Sequence, residues 1–312
     1  MNQRTQSLRP LRQVIRPTTI IEAPRLSKLL GTSLSIATET FQYTGSFKFR
    51  AAYNVASQVR ETEIIAASSG NFGQAMAYAC SLLGKSCTIV MPLTSAQVKI
   101  DAVREHGGKV DLIDVTQTSR AARVAELAAA SPNAYVASAY DDPLVIGGNA
   151  SLGEEIASLA RVIDVVVAPV GGGGLTSGLI TGIRASLRDI HVIGAEPLLA
   201  NDAARSLRAG HIVSNEAEPQ TIADGARTVS VGQHNWAILK DGLGGIVEVP
   251  EERIREAVSL LFSLANLKSE PTGALSIGAL LTDPARFRDR SVCCVVSGGN
   301  VDAQVYKDIL SS

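Results

Sequence analysis

Val165-Val166-Val167-Ala168-Pro169-Val170 runs straight into Gly171-Gly172-Gly173-Gly174-Leu175. The first half lacks polar alternation, as a strand buried on both faces of a parallel sheet does. The second half lets backbone approach a ligand closely, and 175–187 then reads as a helix. A helix start presents unpaired N–H groups and the positive end of its dipole, so an anion is the natural occupant. Among anions, a phosphate fits best. No Gly-Lys-Ser/Thr follows, and GxGxxG spacing does not occur across 171–178, which excludes a Walker loop and weakens a dinucleotide reading. The plain alternative is a flexible connector.

Outward from this stretch, short β-branched runs alternate with helical patterns. On the N-terminal side the pattern predicts strands at 64–67, 87–91, 110–115 and 135–137, with helices at 72–83, 96–106 and 119–130. On the C-terminal side it predicts strands at 162–170, 192–195, 246–249 and 292–296. Helices are expected there at 175–187, 251–267, 271–281 and 303–310. Alternation of this kind implies α/β architecture, with mostly parallel sheets flanked by helices. The two series imply two domains, as does a length of 312 residues. Ligands of such sheets bind beyond the carboxyl ends of strands, so the loops after strands are where chemistry belongs.

Composition excludes several classes. Apolar residues make up 46% and charged residues 19%, which rules out wholesale disorder. Lys+Arg (29) balances Asp+Glu (30), so no basic field for nucleic acid exists. No apolar run reaches membrane-spanning length. Cys80, Cys87, Cys293 and Cys294 form no CxxC pair and lie in apolar stretches, which points to a reducing cytoplasm. Arg4, Arg9, Arg12 and Arg16 precede the first acid, Glu22, but no apolar signal core follows, so a solvated arm is expected. The four histidines show no ligand spacing; only His234 stands near a candidate ion region.

Three further loops carry reactive residue types. In Thr44-Gly45-Ser46-Phe47-Lys48-Phe49-Arg50, Thr44 or Ser46 is placed to cap a helix, and Lys48 lies between two phenylalanines. Apolar surroundings lower a lysine's pKa and make its amine nucleophilic toward a carbonyl; alone, Lys48 also reads as a solvated helix lysine. Ser68-Ser69-Gly70-Asn71-Phe72-Gly73 joins a strand to a helix start, where hydroxyls, N–H groups and an amide suit a carboxylate. Ser297-Gly298-Gly299-Asn300 follows a buried strand and places a hydroxyl where it can meet a heterocycle nitrogen. Each of these is, by itself, also an ordinary turn. Pyridoxal phosphate satisfies all four loops together: it has a phosphate, an aldehyde for the lysine and a ring nitrogen. Its amino-acid substrates bring the carboxylate.

These motifs, in this order, resemble the fold-type II pyridoxal-phosphate enzymes, and within them serine racemase and the short threonine/serine dehydratases. The resemblance spans about 16–310 and implies a tryptophan-synthase-β-like fold. A large cofactor domain (1–60 and 138–312) and a small domain (61–137) are expected. It implies the Schiff-base role for Lys48, ring contact for Phe47 and Glu270, and phosphate binding by Gly171, Gly172, Gly173 and Gly174. Asn71 is implied beside the cofactor's 3′ oxygen and Ser297 against the pyridine nitrogen. Ser68, Ser69, Gly70 and Asn71 take the substrate carboxylate, and Ser69 acts on the face opposite Lys48. Glu196, Ala200 through its carbonyl, and Asp202 keep the spacing of a divalent-cation site, and hard oxygen ligands suit Mg²⁺ or Ca²⁺. A strand end followed by a helix with a solvated Asp is the other reading. The sequence departs from the family at Phe72, usually His; at Ala51; at 138–143; and at 147–151.

The activity so implied is that of an ammonia-lyase (dehydratase) on a β-hydroxy amino acid such as threonine, serine or 3-hydroxyaspartate. The alternative is a racemase using Lys48 and Ser69 on opposite faces. β-Replacement, a non-catalytic pyridoxal-phosphate protein and a nucleotide-dependent oxidoreductase rank lower. Relatives imply a homodimer acting on small amino acids, with no nucleic-acid or membrane partner.

Overall fold

The computed structural model describes residues 10–68, 70–95 and 97–311. Its strands are β1 (Thr19–Glu22), β2 (Ser33–Thr38), β3 (Glu63–Ala67), β4 (Ser86–Pro92), β5 (Lys109–Ile113), β6 (Ala134–Ala137), β7 (Val165–Pro169), β8 (His191–Pro197), β9 (Leu243–Val249) and β10 (Ser291–Val296). They form two sheets. One has six strands in the order β1-β2-β10-β7-β8-β9; the other has four in the order β5-β4-β3-β6. All pairings are parallel except β1 with β2. The α/β reading with parallel, helix-flanked sheets therefore holds.

The decisive strand behaves as its composition requires. Every residue of β7 is buried. Val165 and Val167 face one core with the Glu251–Ala265 and Pro271–Thr282 helices. Val166 and Ala168 face another with the Pro143–Ala157 and Gly174–Ala185 helices. Period-2 alternation thus divides one apolar run between two cores. In the smaller sheet, Ile64, Ala66, Ile89 and Met91 pack on the Asn71–Leu83 helix. The opposite face is thinner: its cluster of buried residues is Ile65, Val90, Ile113 and Val124.

Several boundaries differ from expectation for local reasons. β7 begins at Val165 rather than 162, because Asp164 interrupts the run. Its backbone donates to Ser291 O at 2.8 Å, and its carboxylate accepts from Ser291 N at 2.7 Å. The Gly174–Ala185 helix stops short of 187, and Leu187 takes a left-handed φ of 59°. The Asn71–Leu83 and Glu251–Ala265 helices end on left-handed Gly84 and Asn266. The N-terminal segment is not a solvated arm from Leu11 onward. Ile15 is buried, and the Arg16 guanidinium lies 4.3 Å from the Tyr43 ring centroid. Cys80, Cys87, Cys293 and Cys294 are free and buried. Among the described residues, no helix is long and apolar enough to cross a membrane.

Candidate active site

A cavity of about 840 Å³ opens between the carboxyl ends of the two sheets, a size that suits a cofactor with its substrate. It is lined by Phe47, Lys48, Ser68, Gly70, Asn71, Gly171, Gly172, Gly173, Gly174, Glu270 and Ser297. The loops singled out in the sequence thus converge. Ser69 lies outside the described residues.

Lys48 begins the Lys48–Gln58 helix, after a tightly constrained approach. Thr44 (φ 59°) and Gly45 (φ 71°) both take left-handed backbone, which a β-branched residue adopts only when its surroundings force it. Phe47 N donates to Ser297 O at 3.0 Å, and Gly299 N donates to Gly45 O at 3.0 Å. The lysine loop is therefore latched to the loop after β10. The expected side-chain cap is absent. Phe47 occupies the N-cap, while Thr44 Oγ1 and Ser46 Oγ are buried and, among the described residues, without hydrogen-bond partners.

The Lys48 amine sits 5.1 Å from the Phe47 ring centroid and 5.7 Å from that of Phe72. It donates to Ala139 O at 2.8 Å. Burial lowers its pKa to about 8, against the opposing pull of Glu270. At neutral pH an appreciable fraction of such an amine is uncharged, as a nucleophile and base requires. Glu270 is pushed up to about 7, by burial first and by Asp224 second. Both its oxygens accept from Asn71 Nδ2, at 2.8 and 3.0 Å, and Asn71 Oδ1 accepts from Asn300 Nδ2 at 2.8 Å. Ser68 Oγ accepts from Gly70 N and Gly73 N, so this hydroxyl caps the Asn71–Leu83 helix. Ser297 is buried at the end of β10.

The glycine loop has room for backbone alone. A Cβ on Gly172 would stand 2.2 Å from the Tyr140 ring, one on Gly173 2.9 Å from Asn235 Cβ, and one on Gly174 2.8 Å from Tyr140 O. Asn235 Nδ2 ties the turn by donating to Gly172 O at 2.8 Å and Tyr140 O at 3.0 Å. Gly173 takes a φ of 95° as N-cap of the Gly174–Ala185 helix. Asn149, one of the departures, supports the loop from behind by donating to Gly174 O at 3.0 Å. Phe72 and 138–141 line the cavity itself.

Sequence reasoning missed the Ala139 carbonyl, Asn235, Lys99, Arg120 and Arg227. Asn300 was visible in its motif without a stated role. The rest carry no local signal, because contacts across 91 or 63 residues bring them in.

Glu196 and Asp202 lie apart from the cavity and are fully buried. Glu196 accepts from Ala203 N and Ala204 N at 2.9 and 2.8 Å. Asp202 Oδ1 accepts from Asn215 Nδ2; among the described residues its Oδ2 makes no close hydrogen bond, while the Val231 backbone still favours its charged form. Asp202 is therefore not the solvated residue of the plainer reading. Burial, and then Asp202, raise the Glu196 pKa well above the carboxylate range; Asp202 rises to about 7 through burial. Among the described residues, no cluster of three or more His, Cys, Asp or Glu forms a metal site. His234 stands beside Asp141 instead, its backbone N–H donating to Asp141 Oδ1 at 2.9 Å.

Residues 11–298 match the family described as pyridoxal-phosphate dependent enzyme. This chain belongs to that family. The enzyme is 34% identical to the β-hydroxyaspartate dehydratase of Paracoccus denitrificans, over 92% of each chain. It is 31% identical to the serine racemase of Schizosaccharomyces pombe, over 94% of this chain and 92% of that one. Its structure superposes on the crystal structure of the T.th. threonine deaminase with a TM-score of 0.89. That alignment has 38% identity and covers 94% of this chain and 95% of that one.

The residues present fit the cofactor. Among the described residues, nothing accepts from the amides of Gly171, Gly172, Gly173 or Gly174, so backbone donors stand unpaired at the cavity where a phosphate would need them. The uncharged fraction of Lys48, in the same cavity, adds a nucleophile for the aldehyde.

Proposed function

We propose that this enzyme is an ammonia-lyase for β-hydroxy amino acids such as serine, threonine or 3-hydroxyaspartate, releasing a 2-oxo acid and ammonia. The observation that carries this reading is Lys48: a half-buried lysine lining the cavity, with no acid bonded to it among the described residues, and its pKa lowered by desolvation to about 8. The relatives named dehydratase, threonine deaminase and serine racemase support it.

The glycine loop at 171–174 would hold the phosphate of pyridoxal phosphate, and Lys48 would hold its aldehyde carbon. Bound there, pyridoxal phosphate supplies an electron-withdrawing ring for charge developing at Cα. With its amine free, Lys48 would be placed to take the Cα proton; a proton would leave with the β-hydroxyl as water, and hydrolysis of the resulting enamine by a second water would give the 2-oxo acid and ammonia. Ser297 offers the ring nitrogen a hydroxyl rather than a carboxylate, so no charge fixes that nitrogen as a cation. Ser68, Ser69, Gly70 and Asn71 would hold the substrate carboxylate, with the Ser68 hydroxyl still able to donate while it accepts from Gly70 N and Gly73 N. Asn71, oriented by Asn300 and Glu270, faces the cofactor's oxygen substituent.

Absorbance in the violet region, scanned with added pyridoxal phosphate and with L-serine, D-serine, L-threonine or 3-hydroxyaspartate, tests the reading beside an oxo-acid assay. Lys48→Ala should abolish the band and slow oxo-acid release by about 10³-fold or more. A colourless protein that stays colourless would sink the assignment. Racemisation is the second reading, favoured by the serine racemase relative, with Ser69 proposed as the second base beside Lys48. Ser69→Ala should then abolish chirality loss while elimination persists.

We also propose a Mg²⁺ or Ca²⁺ ion at Glu196, the Ala200 carbonyl and Asp202, supported by the two mutually repelling buried carboxylates and by Asp202 Oδ2, which makes no close hydrogen bond among the described residues. Chelation should lower the unfolding temperature of the wild type and leave that of Asp202→Asn unmoved. We further propose that 61–137 moves as one small domain, and that the enzyme works as a homodimer in a reducing cytoplasm, which the four free buried thiols support.

A further inference from the structure

Four cationic side chains line the cavity: Lys48, Lys99, Arg120 and Arg227. Three are engaged. Lys48 serves the chemistry. Lys99 pairs with Asp224 and Arg120 with Glu218. Arg227 differs. It is half-buried, and its Nε donates to Thr221 O at 2.8 Å. Among the described residues, its two terminal nitrogens have no partner.

The segment that carries Arg227 is pinned from several directions. Thr221 Oγ1 donates to Glu251 Oε1 at 2.5 Å and Ile222 N to Glu251 Oε2 at 2.8 Å. Gly225 N donates to Thr272 Oγ1 at 2.9 Å, and Thr228 O accepts from Asn215 Nδ2 at 3.2 Å. A guanidinium fixed at Nε on a rigid loop, with its two NH₂ groups free in a cavity, is preorganised for a planar oxyanion bound through two parallel hydrogen bonds.

We propose that Arg227 is a specificity-determining residue that binds a second carboxylate, on the substrate side chain, and so favours 3-hydroxy-2-aminodicarboxylates over serine and threonine. This rests on the elimination reading above. The cofactor's phosphate and the substrate's α-carboxylate are the other oxyanions the cavity would hold, but the glycine loop would supply donors to the first and the 68–71 loop to the second.

The test uses holoenzyme, wild type, Arg227→Ala and Arg227→Lys, with folding checked by circular dichroism. The ratio of kcat/KM for threo-3-hydroxyaspartate to that for L-serine should fall about 10–100-fold in Arg227→Ala, the range for losing a charge-assisted pair, with the loss in KM. Arg227→Lys should recover part of it. Calorimetry with succinate and butyrate reads the same contact without turnover. Wild type should prefer succinate by about tenfold or more, and Arg227→Ala should lose the preference. Equal losses on both substrates, a succinate preference that survives in Arg227→Ala, its absence in wild type, or a fall in pyridoxal-phosphate affinity instead would each overturn the proposal. If no amino acid yields oxo acid while the succinate preference still depends on Arg227, the elimination reading fails and the carboxylate site stands.

Discussion

The two sheets share a parallel design and differ in how they are covered. β7 and all but the first residue of β10 and of β2 are buried, between two large cores. β5 and β6 are half-covered edges, and one face of their sheet rests on four buried residues. The thick sheet carries the glycine cradle and Ser297. The thin one carries the 68–73 loop, with Lys99 and Arg120 on its helices. The glycine loop proposed to hold the phosphate thus sits on the more deeply covered unit, and the loop proposed to hold the substrate's α-carboxylate on the more thinly covered one.

Matched truncations expose this difference most strongly. Ile36→Ala in β2 removes a fully buried side chain from the large core and should cost about 4 kcal/mol. Ile113→Ala in β5 empties a site near solvent in a small cluster and should cost about 2 kcal/mol. Urea unfolding of both variants measures the gap, and equal losses would erase the distinction between the sheets.

The seam between the sheets should respond to pH. Glu270, beside the thick sheet, bonds Asn71 from the thin one. Its folded pKa, about 7, lies above the ordinary 4.5, so the native state binds more protons between those values. Stability contributed by the protonated group is full below about pH 4.5 and is lost as pH rises through 7. With the cofactor removed, Glu270→Gln should therefore gain stability relative to wild type on going from pH 5 to pH 8. Removing the carboxylate should also lower the Lys48 pKa further, since Glu270 opposes its fall. Denaturation curves at both pH values, with amine-reactivity titration, read the two effects.

The smallest effects belong to the pairs that cross the cavity mouth, Lys99 with Asp224 and Arg120 with Glu218. Their side chains are 21–48% exposed. Either cation replaced by Ala should change stability by under about 1 kcal/mol, and about 0.5 M salt should remove the difference.

Much of this was readable in the chain. The unbroken apolar run of β7 announced a strand with two cores, and the glycines after it announced a turn that no side chain fits. Lys48 was legible because phenylalanines flank it. Arg227, Asn235 and the Ala139 carbonyl were not, because their roles come from neighbours far along the chain that no local pattern encodes. β2 and its antiparallel partner β1 also went unseen; β2 matters because β10 lies against it. The interrupted start of β7 shows the reverse case, in which one acid, Asp164, overrules an apolar neighbourhood by bonding Ser291.

The position of β10 has a further consequence, in time rather than space. It lies between β2 and β7, in the middle of the six-stranded sheet. Thr32, just before β2, bonds Arg290, just before β10, from 258 residues away. At about 5–20 residues per second of synthesis, β2 waits on the order of 10–50 s for the strand beside it. The four-stranded sheet lies wholly within residues 63–137 and can assemble during that wait. On the ribosome the thinner unit therefore folds first, and the rigid frame that surrounds the cofactor closes around it last.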